Sequence, residues 1–165
     1  MAIESNKEIV LQFYRAFDER NIELAFSLLD DDFIAYMPGV AEPLDREGFK
    51  QFGGEFYRAF HNGKHTFDEI IVEGDKPYGM ATQRIVTCGK FTAMHLGEFQ
   101  GLPPTKRRIE ISLMHIDRVV NGKIIEHWGQ GDAQGLMKQI GIIFLPSPKL
   151  ILNMFKNTLT KLFIK

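Results

Sequence analysis

The residues with the most chemistry in this chain fall between Asn121 and Asp132, in the run Asn-Gly-Lys-Ile-Ile-Glu-His-Trp-Gly-Gln-Gly-Asp. Asn121-Gly122 signals a two-residue hairpin turn, because both residues of such a turn take positive φ, so Lys123 to Gln130 reads as a returning strand. Side chains alternate along a strand, which puts Glu126, Trp128, Gln130 and, if the strand reaches that far, Asp132 on one face. An indole, an amide and two carboxylates do not make an ordinary core stripe. They read as the wall of a pocket in which a carboxylate can take up or release a proton.

Other chemistries fit less well. His95, His115 and His127 lie on three different predicted strands, and three imidazoles can hold Zn²⁺ or Fe²⁺, but no two have close ligand spacing, so a metal is not expected. His115 and His127 do not share a face with Trp128 and read as structural or exposed. No serine sits in a Gly-x-Ser-x-Gly elbow, and the lone Cys88 has no evident base and reads as a buried thiol.

The elements that must position this wall are legible from periodicity. Ser5 to Glu8 has the form of a capping box, and Ile9, Val10, Phe13, Ala16 and Phe17 follow at helical spacing to about Glu19. A short helix from Ile22 to Leu29 ends at Asp30-Asp31-Asp32, which reads as a solvated connection. Phe33 to Met37 alternates as a strand. A third helix opens at Pro43-Leu44-Asp45 and carries Phe49, Phe52, Phe56, Ala59 and Phe60 on one side, interrupted by Gly53-Gly54. From His65 the period becomes two: candidate strands run His65–Val72, Tyr78–Cys88, Phe91–Phe99, Arg107–Val120 and Lys123–Gln130, with turns at Gly74-Asp75, Gly89-Lys90 and Asn121-Gly122. Strands joined by tight turns are antiparallel neighbours. The apolar parity of Arg107–Val120 switches between Leu113 and Met114, which predicts a bulge or bend near Leu113. Ala133–Ile140 reads as a short helix stopped by Gly141. The expected fold is α+β: a curved antiparallel sheet, wrapped by N-terminal helices into a cone whose hollow is a natural small-molecule site.

The chain has 165 residues, one domain's worth, with 20 basic and 21 acidic side chains intermixed and a net charge of −1. That balance argues against nucleic acid as a partner. No signal-like segment or long apolar run appears, and the expected location is the cytoplasm. Residues 1–144 are expected to form the domain and 145–165 an amphipathic helical extension, whose Lys149, Lys156 and Lys161 oppose Ile151, Phe155, Leu159 and Phe163. Packing against the domain or a second copy is the ordinary use of such a helix. Weak contact with a membrane surface is the sharper one.

The segments His95-Leu-Gly-Glu-Phe-Gln-Gly-Leu-Pro-Pro-Thr105, Asn121 to Trp128, Asp132 and Gly135 to Gly141 resemble, in order and spacing, the SnoaL-like polyketide cyclase family. Weaker similarity extends the match to about residues 6–141. The resemblance implies the cone-shaped fold shared with ketosteroid isomerase, commonly paired as a homodimer through the outer sheet face. It also implies intramolecular aldol ring closure by acid/base chemistry on a small hydrophobic carbonyl ligand. Carried over by position, it puts the acid/base aspartate at Asp132, the strand histidine at His95 and an arginine at Arg84. Donors for the enolate would come from His95, Arg84, Gln130 and Trp128, with Glu126, Phe99, Met114 and Tyr36 completing the substrate contacts. A non-catalytic ligand-binding protein on the same fold is the alternative. The family usually has glycine after Pro-Pro-Thr; this chain has Lys106.

Overall fold

The computed structural model describes residues 2–74, 82–142, 145 and 147–152, with side chains from Asn6 onward. In chain order the elements are α1 (Ala2–Asp18), α2 (Ile22–Ser27), β1 (Leu29–Tyr36), β2 (Leu44–Asp45), α3 (Arg46–Ala59), β3 (Lys64–Gly74), β4 (Gln83–Met94), β5 (Arg108–Val120), β6 (Lys123–Gly131) and α4 (Ala133–Ile140). One six-stranded sheet runs β2-β1-β6-β5-β4-β3. The helices cover its inner face, so the α+β expectation holds. The sheet is mixed, however, because β1 pairs parallel to β6 while the other pairs are antiparallel. Turn signals report only sequence-adjacent strands, and β1 reaches β6 across most of the chain. No helix among the described residues is long and apolar enough to cross a membrane.

Helix α1 already runs from Ala2, so the Ser5–Glu8 box lies inside it. Its Val10, Phe13, Tyr14 and Phe17 are buried. They pack with Phe26, Phe33 and Phe49 into one aromatic core, and a second cluster joins Phe60, Phe91, Ile109, Ile111 and Leu136. Gly53 in α3 is buried against Phe17, whose ring would lie 3.8 Å from an added Cβ, an ordinary contact, so packing there does not require glycine. The acidic run is not a connection: Asp30, Asp31 and Asp32 belong to β1, and Asp31 pairs with Arg46 at 2.8 Å.

Two strand expectations need correction. Gly89-Lys90 is not a turn, since Gln83 to Met94 is one strand paired without interruption to β5. Gly89 instead lies where β3 shifts register between Phe67 and Glu69, and a Cβ there would fall 2.0 Å from the Thr66 carbonyl oxygen. Close backbone approach is the other reason a strand contains glycine. Nor is there a bulge at Leu113. Ile109, Ile111, Leu113, Asp117 and Val119 are all buried on one parity, with His115 among them. The parity only looked broken because two inward residues are polar.

The real irregularity is in the last hairpin. Asn121 and Gly122 take φ of 50° and 78°, as such a turn requires. Val119 then faces Ile124 but Arg118 faces Glu126, which leaves Ile125 as an extra residue on β6. An inserted residue exchanges the faces of everything beyond it. Ile124 and His127 both therefore point inward, while Glu126 and Trp128 point out.

The loop between β4 and β5 turns through Gln100 and Lys106, both at positive φ. Lys106 at 58° explains why glycine suits that position. Of the C-terminal extension, residues 148–152 are helical and Leu150, Ile151 and Leu152 are exposed; the amphipathic pattern beyond 152 lies outside the described residues.

Candidate active site

A cavity of about 750 Å³ opens between α1, α3, the β4–β5 loop and the inner face of β3–β6. Phe13, Phe17, Phe49, Phe56 and Tyr57 line it from the helices, Phe91, Ile111 and Leu113 from the sheet, and Phe99 from the loop. Glu55, Arg58, Glu98 and Gln100 also border it. A hollow of this size, mostly apolar with a few converging polar groups, is the usual form of a small-molecule site.

Tyr14, His65, His115 and His127 are further polar groups of its lining. His127 and Asp117 are directly opposed across the β5–β6 ladder, and both are buried. The Asp117 carboxylate accepts from His127 Nδ1 through Oδ1 at 2.8 Å and from the Tyr14 hydroxyl through Oδ2 at 2.7 Å. With the carboxylate accepting, Nδ1 carries the proton of that bond, so Nε2 is the nitrogen left to act as a base. Among the described residues Nε2 makes no hydrogen bond. Burial, and then the neighbouring Asp117, push the Tyr14 phenol well above its ordinary value, so it remains a donor.

His115 stacks on Tyr14 with ring centroids 5.0 Å apart and lies 5.2 Å from the His127 ring. It makes no hydrogen bond among the described residues, and its Nδ1 is sealed from solvent. Burial, reinforced by His127 and His65, pushes its pKa well below the usual histidine value, so the ring is neutral. His65, 6.2 Å from His115, is held to the end of α1 by an Nδ1 contact of 2.7 Å with Asp18.

The neutral His115 has a consequence for stability. In the unfolded chain it regains a pKa near ~6.5 and binds a proton there that the native state refuses. Its contribution is therefore complete above that value and lost as pH falls below it, at up to about 1.4 kcal/mol per pH unit. Thermal unfolding of His115→Phe between pH 7 and 5 should show a shallower acid decline than the parent; equal slopes would refute the assignment.

The residues expected from sequence are dispersed. Asp132 is exposed and does not line the cavity. Its Oδ1 accepts from the Gly135 amide at 2.7 Å, capping α4, and a carboxylate at a helix N-terminus is stabilised where it is. His95 is buried but outside the cavity, with Nδ1 accepting from the Thr105 amide at 3.2 Å and its ring against Phe60. It staples the β4–β5 loop, and burial lowers its pKa. Arg84, Met114, Trp128, Glu126 and Tyr36 lie on the outer sheet face. There Trp128 is 46% exposed, stacks on Tyr36 at 3.9 Å and donates to Glu126, which pairs with Arg118 at 2.5 Å. Of that set only Phe99 and Gln130 border the cavity.

Sequence reasoning set His115 and His127 aside as structural or exposed, whereas both line the cavity, and it did not single out Tyr14 or Asp117 for chemistry. The available signal was spacing: positions 115 and 117 continue the parity of Ile109, Ile111 and Leu113. No group of three or more metal-ligating side chains is assembled among the described residues.

A helix-covered curved sheet enclosing an aromatic hollow, with a buried imidazole–carboxylate pair on its wall, defines the class of α+β cones. The model of the SnoaL-like polyketide cyclases matches residues 8–140, and the chain belongs to that family. It is 33% identical over 95 residues to nogalonic acid methyl ester cyclase of Streptomyces nogalater, a match covering 58% of this chain and 66% of that one. With aklanonic acid methyl ester cyclase DnrD of Streptomyces peucetius it shares 32% over 83 residues, 50% of this chain and 52% of the relative. The chain thus spans less than two thirds of either relative. A SnoaL-like protein structure from Jannaschia sp. CCS1 superposes with a TM-score of 0.73 at 17% identity, covering 86% of this chain and 94% of the other, a likeness of fold alone.

Proposed function

We propose that this protein is a cofactor-independent acid/base catalyst of the cyclase type, which enolises an apolar carbonyl compound in the cavity and closes a ring by intramolecular aldol addition. The observation that carries the reading is the His127–Asp117 pair, buried at the wall of an aromatic hollow with its second imidazole nitrogen making no hydrogen bond among the described residues. His127 Nε2 takes the proton from a carbon beside a carbonyl. Asp117, held by Tyr14, stabilises the imidazolium that forms, and the neutral His115 offers an N–H to the enolate oxygen. The enolate carbon then attacks a second carbonyl of the same molecule, and the resulting alkoxide takes the proton back from Nε2. No net proton is gained or lost. A positioned general base contributes about 10²–10⁴-fold and a donor to the oxyanion about 10²–10³-fold.

The relatives' names make the methyl ester of a carboxylic acid the first compound to try. Nogalonic acid methyl ester incubated with the full chain in deuterated buffer should exchange its acidic C–H and form the cyclised isomer, read by mass spectrometry. Asp132→Asn should convert it at the parent rate, since asparagine caps a helix as well as aspartate does. Loss of conversion in that variant would return the base to Asp132. Binding by the parent with neither exchange nor ring closure would leave a ligand-binding protein.

A further inference from the structure

The cavity wall carries more acid/base groups than ring closure uses. His127 Nε2 both takes the proton and returns it, so aldol addition is complete with one imidazole–carboxylate pair. A second pair stands at the same hollow. His65, near the start of β3, lines the cavity. Its Nδ1 lies 2.7 Å from Asp18 Oδ1, and its backbone amide donates to Asp18 Oδ2 at 2.9 Å. Among the described residues His65 Nε2 makes no hydrogen bond. Asp18 is the last residue of α1, and the carbonyl end of a helix favours a cation. Helix end and carboxylate together supply the counter-charge for an imidazolium at His65. Only 8% of the His65 side chain and 17% of Asp18 are exposed, so solvent screens the pair little. A tie between helix and strand needs no place on the cavity wall: His95 ties the β4–β5 loop from outside it. His115 neighbours both imidazoles, its ring 5.2 Å from that of His127 and 6.2 Å from that of His65. Tyr14 touches both pairs, its hydroxyl on Asp117 and its ring 5.2 Å from that of His65.

We infer that this protein has a further activity, the dehydration of β-hydroxy carbonyl compounds, with His65 as the acid and His127 as the base. The inference rests on the acid/base reading for the part given to His127. Elimination of water requires what addition does not: a base at one carbon and an acid at the oxygen on the next, acting together. Each must come within about 3 Å of its own atom, so one ring nitrogen cannot serve as both. His127 Nε2 removes a proton from the carbon beside the carbonyl. The electron pair left behind becomes the carbon–carbon double bond, and the bond from the next carbon to its hydroxyl breaks. His65 Nε2–H protonates the departing oxygen, which leaves as water. Water returns the proton from His127 to His65, so one water is lost and no oxidant or reductant is consumed. The product of aldol ring closure is itself a β-hydroxy carbonyl compound, and where its α-carbon keeps a hydrogen it is a substrate for this second step.

The aldol adduct of benzaldehyde and acetone, an open-chain β-hydroxy ketone, tests the step without ring closure. In deuterated buffer, exchange of its α-hydrogen is read by mass spectrometry, and formation of the conjugated enone benzalacetone by ultraviolet absorbance. The parent should do both faster than buffer alone. His65→Gln should lower the ratio of enone formation to exchange at least tenfold, because exchange needs only the base. His127→Ala should lower both rates. Asp18→Asn keeps an oxygen for the His65 amide and removes the counter-charge, so the same ratio should fall severalfold. Thermal melts report whether each variant is folded, and Asp18→Asn carries the test if His65→Gln unfolds. No enone formation by the parent would overturn the dehydration, as would an unchanged ratio in folded His65→Gln or, should that variant unfold, in Asp18→Asn. Failure of the parent to exchange nogalonic acid methyl ester as well would overturn the acid/base reading itself; exchange of that ester without any enone from the adduct would leave that reading standing.

Discussion

Replacing His127 by alanine should reduce both C–H exchange and ring closure by about 10²–10⁴-fold, the range a positioned general base supplies. The loss should appear in kcat with little change in KM, since the proton transfer belongs to the transition state and not to ground-state binding. Asp117→Asn gives the companion result. The amide can turn its N–H toward Nδ1, favouring the tautomer with its proton on Nε2, the wrong nitrogen for a base. It should therefore lose most of the same activity with the imidazole still in place. Circular dichroism and melting temperature distinguish these losses from unfolding, a necessary control because Asp117 and His127 are both buried and Asp117 also holds Tyr14. A His127→Ala variant that folds and turns over at the parent rate would remove the pair from the mechanism.

The second large effect concerns stability. Gly89→Ala should destabilise the domain by about 3 kcal/mol or more, at the upper end for a single substitution. The new methyl would meet the Thr66 carbonyl oxygen at 2.0 Å and the Phe67 Cα at 2.8 Å. Both are backbone atoms in the central part of the β3–β4 pairing, so no side chain can rotate to make room. Relief requires the register shift between Phe67 and Glu69 to move, and with it strand hydrogen bonds on either side. Chemical denaturation is the measurement; a loss under about 1 kcal/mol would mean that this ladder yields more easily than close-packed interiors do.

Gly89 also shows how far the sequence could be read. Gly-Lys between two alternating runs satisfies the local rules for a turn and equally those for a glycine crossed by a neighbouring bulge. Deciding between them requires the position of Thr66, 23 residues earlier in the chain. Asp132 poses the same kind of choice. An aspartate just before a helix suits a cap, and an aspartate just after a pocket-wall strand suits a base. The bulge in β6 decides the matter: beyond it His127 faces inward, and Asp132 lies exposed outside the cavity.

The chain's own order of residues determined the class of fold, the four helices to within a few positions, the last hairpin turn and the family, because caps, periodicity and turn chemistry act between near neighbours. Tertiary pairing alone decided which face of β6 looks inward. A single extra residue at Ile125 puts His127 in the cavity wall and sends Trp128 and Glu126 outside. The packing of α1 on the sheet brought Tyr14 to Asp117 across 103 positions of chain. A strand's alternation specifies which residues travel together; the ladder it joins specifies the direction they face.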